Sequence, residues 1–302
     1  MIWKLSKPEN EMDKIYDYSP GSSEREKLKK ELEKIRSETV EIPLIIGGEE
    51  IFTDKIIEVK SPHDHDNILA EVHLAREDEL EMAIDSALDA HNDWSKQNWY
   101  HRAAVFRKAA DLLAGPRRFR NIAAIMSNHS KNPYEAEIDL AELVDFLRIN
   151  TYFMEFIYKQ QPEQSESELN RIDWRPLEGF VLAIPPFNFY SIAGNLPSAP
   201  AIVGNTVLWK PSKEVSFSNY EIMKIFMEVG LMDGVINFVP FSSNISDIVF
   251  QNENFSGLHF TGSYDTLTLL WKKISENLKN YNDFPKIVGE AEGKDFIFIH
   301  NT

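Results

Sequence analysis

The feature that most constrains this chain is the alternation of short apolar runs with helical stretches from Gly179 onward. Residues 180–184 (FVLAI), 206–209 (TVLW), 235–239 and 257–260 read as strands. Helices are predicted over 191–202, about 216–229, near 245–250 and about 264–278. Strands without polar alternation cannot turn one face to water, so they belong to a parallel sheet covered by helices on both sides. The fold class is therefore α/β. Ligands of such sheets sit beyond the carboxyl ends of the strands, where loops lead into helices. That rule singles out the segments PPFNFYS, KPSKE, FVPF and FTGSYD as the place for a nucleotide or small ligand.

The first half has a different texture. Residues 1–23 read as an extended arm ending in Pro20-Gly21-Ser22-Ser23. Ser23 and Glu26 then have capping-box spacing, with Leu28, Leu32 and Ile35 on one helical face. Residues 42–46 and 51–53 flank Gly47-Gly48, a hairpin signal, and 56–59 gives a third short strand. Three amphipathic helices are predicted next. One starts near Glu77, one spans about 100–113 before Gly115-Pro116, and one starts near Tyr134 with Ile138, Val144 and Leu147 inward. The run KQQPEQSESELN over 159–170 is polar and reads as a surface loop.

Composition excludes several classes. Against 32 Lys and Arg stand 48 Asp and Glu, a formal charge of −16, which repels phosphate backbones and anionic lipid. Neither a nucleic-acid partner nor membrane insertion is expected, since Pro185 and Pro186 break the longest apolar stretch. The absence of cysteine excludes disulfides, thiolate metal sites and a thiol nucleophile within these residues. Glu9, Glu11, Asp13 and Asp17 make the N-terminus too acidic for a transit peptide. His63-Asp64-His65-Asp66 lacks further ligands and reads as a solvated turn, so no metal site is expected. Asn128-His129-Ser130-Lys131 carries no chemistry by spacing alone.

Several loop residues have chemistry of their own. The Asn188 amide can donate to a developing oxyanion, or simply serve a turn. The Lys210 ammonium, at a strand end, can reach a ribose or sit in solvent. Gly262 and Ser263, between strand and helix, can hold an anion on backbone N–H groups, or Ser263 can act only as an N-cap. Glu290 offers a carboxylate that works as a base if partial burial lifts its pKa.

In this order the loops resemble the aldehyde dehydrogenase superfamily. The segments EGFVLAIPPFNFYSIAGNLPSAPAIVGNTVLWKPS, FTGSYDTLTLLWKKISENL and GEAEGKDF, with PGSSEREKLKKELEKIRSETVEIPLIIGGEEI and RKAADLLAGPRR, resemble its pyrroline-5-carboxylate dehydrogenase branch. The likeness runs from about residue 18 to 302. It implies a helical N-terminal portion and a Rossmann-like cofactor-binding domain, with the catalytic domain largely absent. The corresponding division is an arm and helix over 1–40, an NAD-type domain over 41–294 with 159–178 as a polar loop or hairpin insertion, and the start of a catalytic domain over 295–302. The resemblance implies that Asn188 steadies the oxyanion and that Phe187 lines the aldehyde channel. It further implies Lys210 on the adenosine ribose, Gly262 and Ser263 on the pyrophosphate, Pro186, Phe187 and Ser212 beside the cofactor, and Glu290 directing water.

Two positions depart from the family pattern. Lys213 stands where an acidic residue usually shares the ribose, so the cofactor is NAD, NADP through its 2′-phosphate, or lost. Glu292 replaces a glycine beside the nicotinamide and adds bulk and charge. With no cysteine present, we expect a non-catalytic relative acting as a structural or assembly subunit, with a protein partner or oligomer covering the face left by the missing domain. The alternative is a fragment of an active NAD-dependent dehydrogenase oxidising glutamate semialdehyde to glutamate in proline catabolism. The resemblance points to mitochondria.

Overall fold

The computed structural model describes residues 13–293 and 297–300. Helix α1 (Ser23–Ser37) follows the arm, with Leu28 and Ile35 buried. Its cap is Ser22, not Ser23: the Ser22 hydroxyl accepts from the Arg25 N–H at 3.2 Å. Pro43 then divides what the sequence presents as one strand. Lacking an N–H, it cannot continue a ladder, and β1 (Val40–Ile42) and β2 (Leu44–Ile46) enter different sheets. The hairpin of β2 and β3 (Glu49–Ile51) forms as expected, with Gly47 and Gly48 at φ of 60° and 82°.

β4 (Ile56–Ser61) and β5 (Asp64–His73) complete a three-stranded sheet of order β1-β5-β4 among the described residues. The sequence reading missed β5. Its first half, DHDN, shows no apolar alternation, so Asp64, His65 and Asp66 looked like a turn, whereas Pro62 and His63 alone form it. Beyond β5, Ala75 pairs with Phe241, and the Ala75 N–H donates to the Pro240 carbonyl at 2.9 Å.

The next helices are α2 (Glu77–Trp94), α3 (Trp99–Ala114), α4 (Arg118–His129) and α5 (Pro133–Tyr158). Helix α4 was not anticipated because its inner face is partly polar: Arg118, Asn121, Ser127 and Asn128 are all buried. Residues 160–178 form no strand. Glutamine amides clasp the loop instead: Gln161 bonds both the N–H and the carbonyl of Ile172, at 2.9 and 3.1 Å, and Gln164 accepts from the Asn170 N–H at 2.9 Å.

The second half alternates as predicted: β6 (Phe180–Ile184), α6 (Tyr190–Ile202), β7 (Thr206–Trp209), α7 (Ser216–Glu228), β8 (Ile236–Phe238), α8 (Asp247–Gln251), β9 (Phe255–Gly262) and α9 (Tyr264–Glu276). A further strand, β10 (Lys286–Ala291), escaped notice because it is largely exposed. The strand expected over 296–300 does not form in residues 297–300, and Phe296 lies outside the described residues. Among the described residues these strands make a seven-stranded sheet, β10-β9-β6-β7-β8-β2-β3. It is parallel from β10 to β8 and antiparallel where β2 joins β8.

Successive side chains feed opposite faces of this sheet. Val181, Ala183, Val207 and Trp209 pack with α3 to α7, whereas Phe180, Leu182, Leu208 and Phe260 pack with α2, α8 and α9. Apolar groups remain exposed at one end, including Phe153, Phe156, Ile157, Trp174 and Val288. Among the described residues no helix is long and apolar enough to cross a membrane.

The arm is fastened by a buried ion cluster. Arg118, 1% exposed, pairs with Glu137, 0% exposed, and Asp13 bridges Arg118 and Arg148 at 2.7 and 3.0 Å. The Tyr18 hydroxyl donates to Glu137. Removing one partner strands a charge in the interior. Glu137→Leu is therefore expected to lower unfolding stability by about 3 kcal/mol or more in urea titration, with loss of arm protection in limited proteolysis.

Candidate functional site

The carboxyl ends of β6, β7, β9 and β10 open onto one cleft of about 950 Å³. Every residue predicted for the site lines it: Pro186, Phe187, Asn188, Lys210, Ser212, Gly262, Ser263 and Glu290. Glu292 lines it too, while Lys213 stands just outside the lining.

The loop after β6 is held by Asp139 of α5. Its carboxylate accepts from the Tyr190 and Ser191 N–H groups at 3.0 and 2.9 Å, capping α6. The Lys131 ammonium pairs with the same carboxylate at 2.6 Å. This clamp presents Phe187, Asn188 and Phe189 at an exposed tip. Phe187 is 64% exposed, which rules out core packing for it. The Asn188 amide has no hydrogen-bond partner among the described residues and is free to donate.

Lys210 leaves β7 with its N–H donating to the Ala183 carbonyl at 2.9 Å. The side chain is half-buried rather than solvated, its ammonium 5.3 Å from the centre of the Phe241 ring. Burial, then the nearby charge of Lys213, push its pKa below the usual lysine value, against the pull of Glu214. Ser212 donates to the Glu214 carboxylate at 2.6 Å.

Across the cleft β9 ends at Gly262, where an added Cβ would meet the Phe260 ring at 2.7 Å. Ser263 caps α9, accepting from the Thr266 N–H at 3.2 Å. The capping role predicted for this serine is thus realised, and the positive end of the α9 dipole faces the cleft alongside it. Glu290 lies opposite Thr261 on neighbouring strands, and the Thr261 hydroxyl donates to its carboxylate at 3.1 Å. The partial burial expected for Glu290 is not supplied here: it is exposed. Glu292 adopts φ 64°, a left-handed conformation unusual for a residue with a side chain. Its N–H contacts the Gly262 carbonyl at 3.4 Å.

The geometry is that of a groove across a parallel sheet, cationic at the β7 end and carboxylate-bearing at the β10 end. The aldehyde dehydrogenase family pattern matches residues 51–302. The chain belongs to the aldehyde dehydrogenase family. A Delta-1-pyrroline-5-carboxylate dehydrogenase from Agaricus bisporus is 44% identical over 291 residues, covering 95% of this chain and 53% of that protein. A mitochondrial counterpart from Dictyostelium discoideum is 42% identical, covering 95% and 52%. The crystal structure of the Mycobacterium tuberculosis Delta-pyrroline-5-carboxylate dehydrogenase bound with NAD superposes with a TM-score of 0.94 at 42% identity, over 98% of this chain and 55% of that one. The chain thus spans about half the length of these relatives.

Sequence reasoning missed the supports of this cleft. Thr261 sat unremarked inside FTGSYD, Phe241 closed FVPF without an assigned role, and Asp139 lay mid-helix without any signature. The segment Asn128-His129-Ser130-Lys131 proves structural. Asn128 donates to the Glu214 carbonyl at 2.9 Å and accepts from the Ser218 N–H at 3.0 Å, and Ser130 turns the chain at φ 56°. His63 bonds the Ser130 hydroxyl at 2.8 Å. Among the described residues no three potential ligands gather around a metal site.

His129 lies in a second depression that shares Phe187 and Asn188 with the cleft. Its Nε2 meets the Ser218 hydroxyl at 2.8 Å, while buried Nδ1 has no partner among the described residues. Burial, and secondarily Lys131, lower its pKa from 6.5 to about 4, against the opposing charge of Asp139. Between those values the unfolded chain takes up a proton that the folded chain refuses. This contribution to stability is complete above about pH 6.5 and falls as pH drops toward 4. Urea midpoints measured across that window should show the decline, and His129→Gln should flatten it.

Proposed function

We propose that this chain is the dinucleotide-binding half of a pyrroline-5-carboxylate dehydrogenase, which oxidises glutamate semialdehyde to glutamate. The observation that carries the reading is the convergence of Asn188, Lys210, Gly262, Ser263 and Glu290 in one cleft. Relatives at 42–44% identity bearing that dehydrogenase name support it.

In this reading a nicotinamide dinucleotide spans the cleft, and when bound it supplies the hydride acceptor. Lys210 and Ser212 would hold its ribose end. The backbone N–H groups after Gly262 and the α9 dipole would hold the pyrophosphate. Pro186 and Phe187 would wall the nicotinamide end. The Asn188 amide, fixed by the Asp139 clamp, donates to the oxygen of the attacked aldehyde, lowering the cost of its negative charge. Glu290, oriented by Thr261, takes a proton from water during thioester hydrolysis. The thiol nucleophile comes from polypeptide beyond these residues, since they contain no cysteine. That same polypeptide, or an oligomeric partner, would cover Phe153, Phe156, Trp174 and Val288 and bury Glu290. We place the protein in mitochondria, the compartment named for the Dictyostelium relative.

The expectation from sequence, a non-catalytic assembly subunit, rested on the missing cysteine, on Lys213 and on Glu292. Relatives about twice as long account for the first without any loss of function. Antiserum raised against this chain should detect a native polypeptide far larger than 34.8 kDa, and a native band at that mass would sink the fragment reading. Dinucleotide binding is tested by thermal shift with NAD and NADP titrated separately. At about 100-fold its dissociation constant, a bound dinucleotide adds about 2.7 kcal/mol. Lys210→Met should weaken that binding by about tenfold or more.

A further inference from the structure

The turn between α2 and α3 and the segment 172–178 enclose a polar cavity of about 690 Å³ that shares no lining residue with the cleft. One of its lining residues is Arg102, near the start of α3. It is only 3% exposed, yet no carboxylate pairs with it among the described residues. Its guanidinium donates to the carbonyl of Gln97, to that of Ile202 at 3.1 Å and to the Tyr158 hydroxyl at 3.2 Å. A guanidinium has five N–H groups, so one on each terminal nitrogen is left without an acceptor among the described residues. Burial pushes the Arg102 pKa below the usual arginine value, against the pull of Tyr158. The N-terminus of α3 opens onto the same cavity through Asn98 and Trp99. It has no side-chain cap, because the Asn98 amide donates to the Tyr100 hydroxyl at 3.1 Å, and no acid stands in its first turn. Lys96, exposed, adds a further cation to the lining. Of the two acids there, Glu178 pairs with Arg175 at 3.2 Å, and exposed Asp173 acts on Tyr158 rather than on Arg102.

A buried guanidinium held by neutral acceptors alone keeps a charge that nothing offsets, and that is costly. An uncapped helix N-terminus beside it adds partial positive charge and N–H groups in need of acceptors. One oxyanion in the cavity answers both. Two of its oxygens can take the free N–H groups of Arg102, the paired contact that guanidinium makes with carboxylate and phosphate. A planar carboxylate is then used up, whereas a tetrahedral phosphate has oxygens left for the α3 N-terminus and for Lys96. We propose that this cavity is a phosphate site, for inorganic phosphate or a small phosphate monoester, held by Arg102, Lys96 and the N-terminus of α3. The site is separate from the dinucleotide cleft and does not depend on that reading.

The full chain is titrated calorimetrically with inorganic phosphate, with phenyl phosphate and with acetate, chloride holding the ionic strength constant. Both phosphates are expected to bind more tightly than acetate, and the tighter of the two tells a free ion from an ester as the preferred ligand. Indole N–H resonances of Trp99 and Trp174, which line the cavity, should move with the same saturation, while that of Trp209 in the core stays fixed. Lys96→Glu should weaken binding by about tenfold or more, and Arg102→Leu should abolish it. Lys96 is exposed, so its variant decides the matter even where loss of the buried arginine unfolds the chain. Lys210→Met, which alters the cleft alone, should leave this binding unchanged. Phosphate that binds Lys96→Glu as tightly as the parent chain, or binds without moving the Trp99 and Trp174 signals, is held in the cleft or is an adventitious ion only, and overturns the proposal. Acetate binding as tightly as phosphate, or no heat and no shift at millimolar phosphate, overturns it as well.

Discussion

The ladder on either side of β6 is the constraint on which the site depends. This strand pairs in parallel with β7 on one edge and with β9 on the other, setting Ala183 opposite both Trp209 and His259. Because all three run the same way in fixed register, they end at one level. Ile184, Lys210 and Phe260 are the next residues along their respective strands, with Thr261 one step beyond Phe260. Pairing of β9 with β10 then carries that level to Glu290. Parallel strands buried on both faces cannot slip by one residue without exchanging their two cores. The packing that stabilises the sheet is therefore also what aligns the cleft.

Electrostatics divide the cleft along its length. Lys210 holds one end, with Lys213 just outside it, in a chain whose formal charge is −16. Glu290 and Glu292 hold the other, with the N-terminus of α9 between them. Local charge at the Lys210 end thus runs against the sign of the whole protein. The clamp of Asp139 on Tyr190, Ser191 and Lys131 works differently: its charge is spent inside the structure, on keeping the Asn188 loop in one position.

The α/β half was legible because its strands are apolar on both faces, a pattern few other arrangements can bury. Phe180–Ile184 and Thr206–Trp209 match the sequence reading residue for residue. Failures occurred where polar groups took structural positions. Helix α4 hides its inner face behind Arg118 and Asn128, and β5 begins with four polar residues. β10 lacks the pattern for another reason, since most of its side chains are exposed. The site residues were legible as motifs, yet their supports were not. Nothing near Asp139 in sequence says that it meets a loop about fifty residues later.

The chain ties the small sheet to the large one at three places. The chain passes between the sheets through the single residue Pro43, whose ring fixes φ. It returns to the small sheet over 52–55, between β3 and β4, and meets the large-sheet side again at Ala75, paired to Phe241 and bonded to Pro240. A plate fixed along one edge can swing, but one pinned at both ends of its path behaves as a bracket. Since Phe241 also underlies Lys210, this anchor sits directly beneath the Lys210 end of the groove. Any domain motion that opens the cleft must then carry the small sheet along as one piece with the β7 side, leaving the hinge to be found elsewhere.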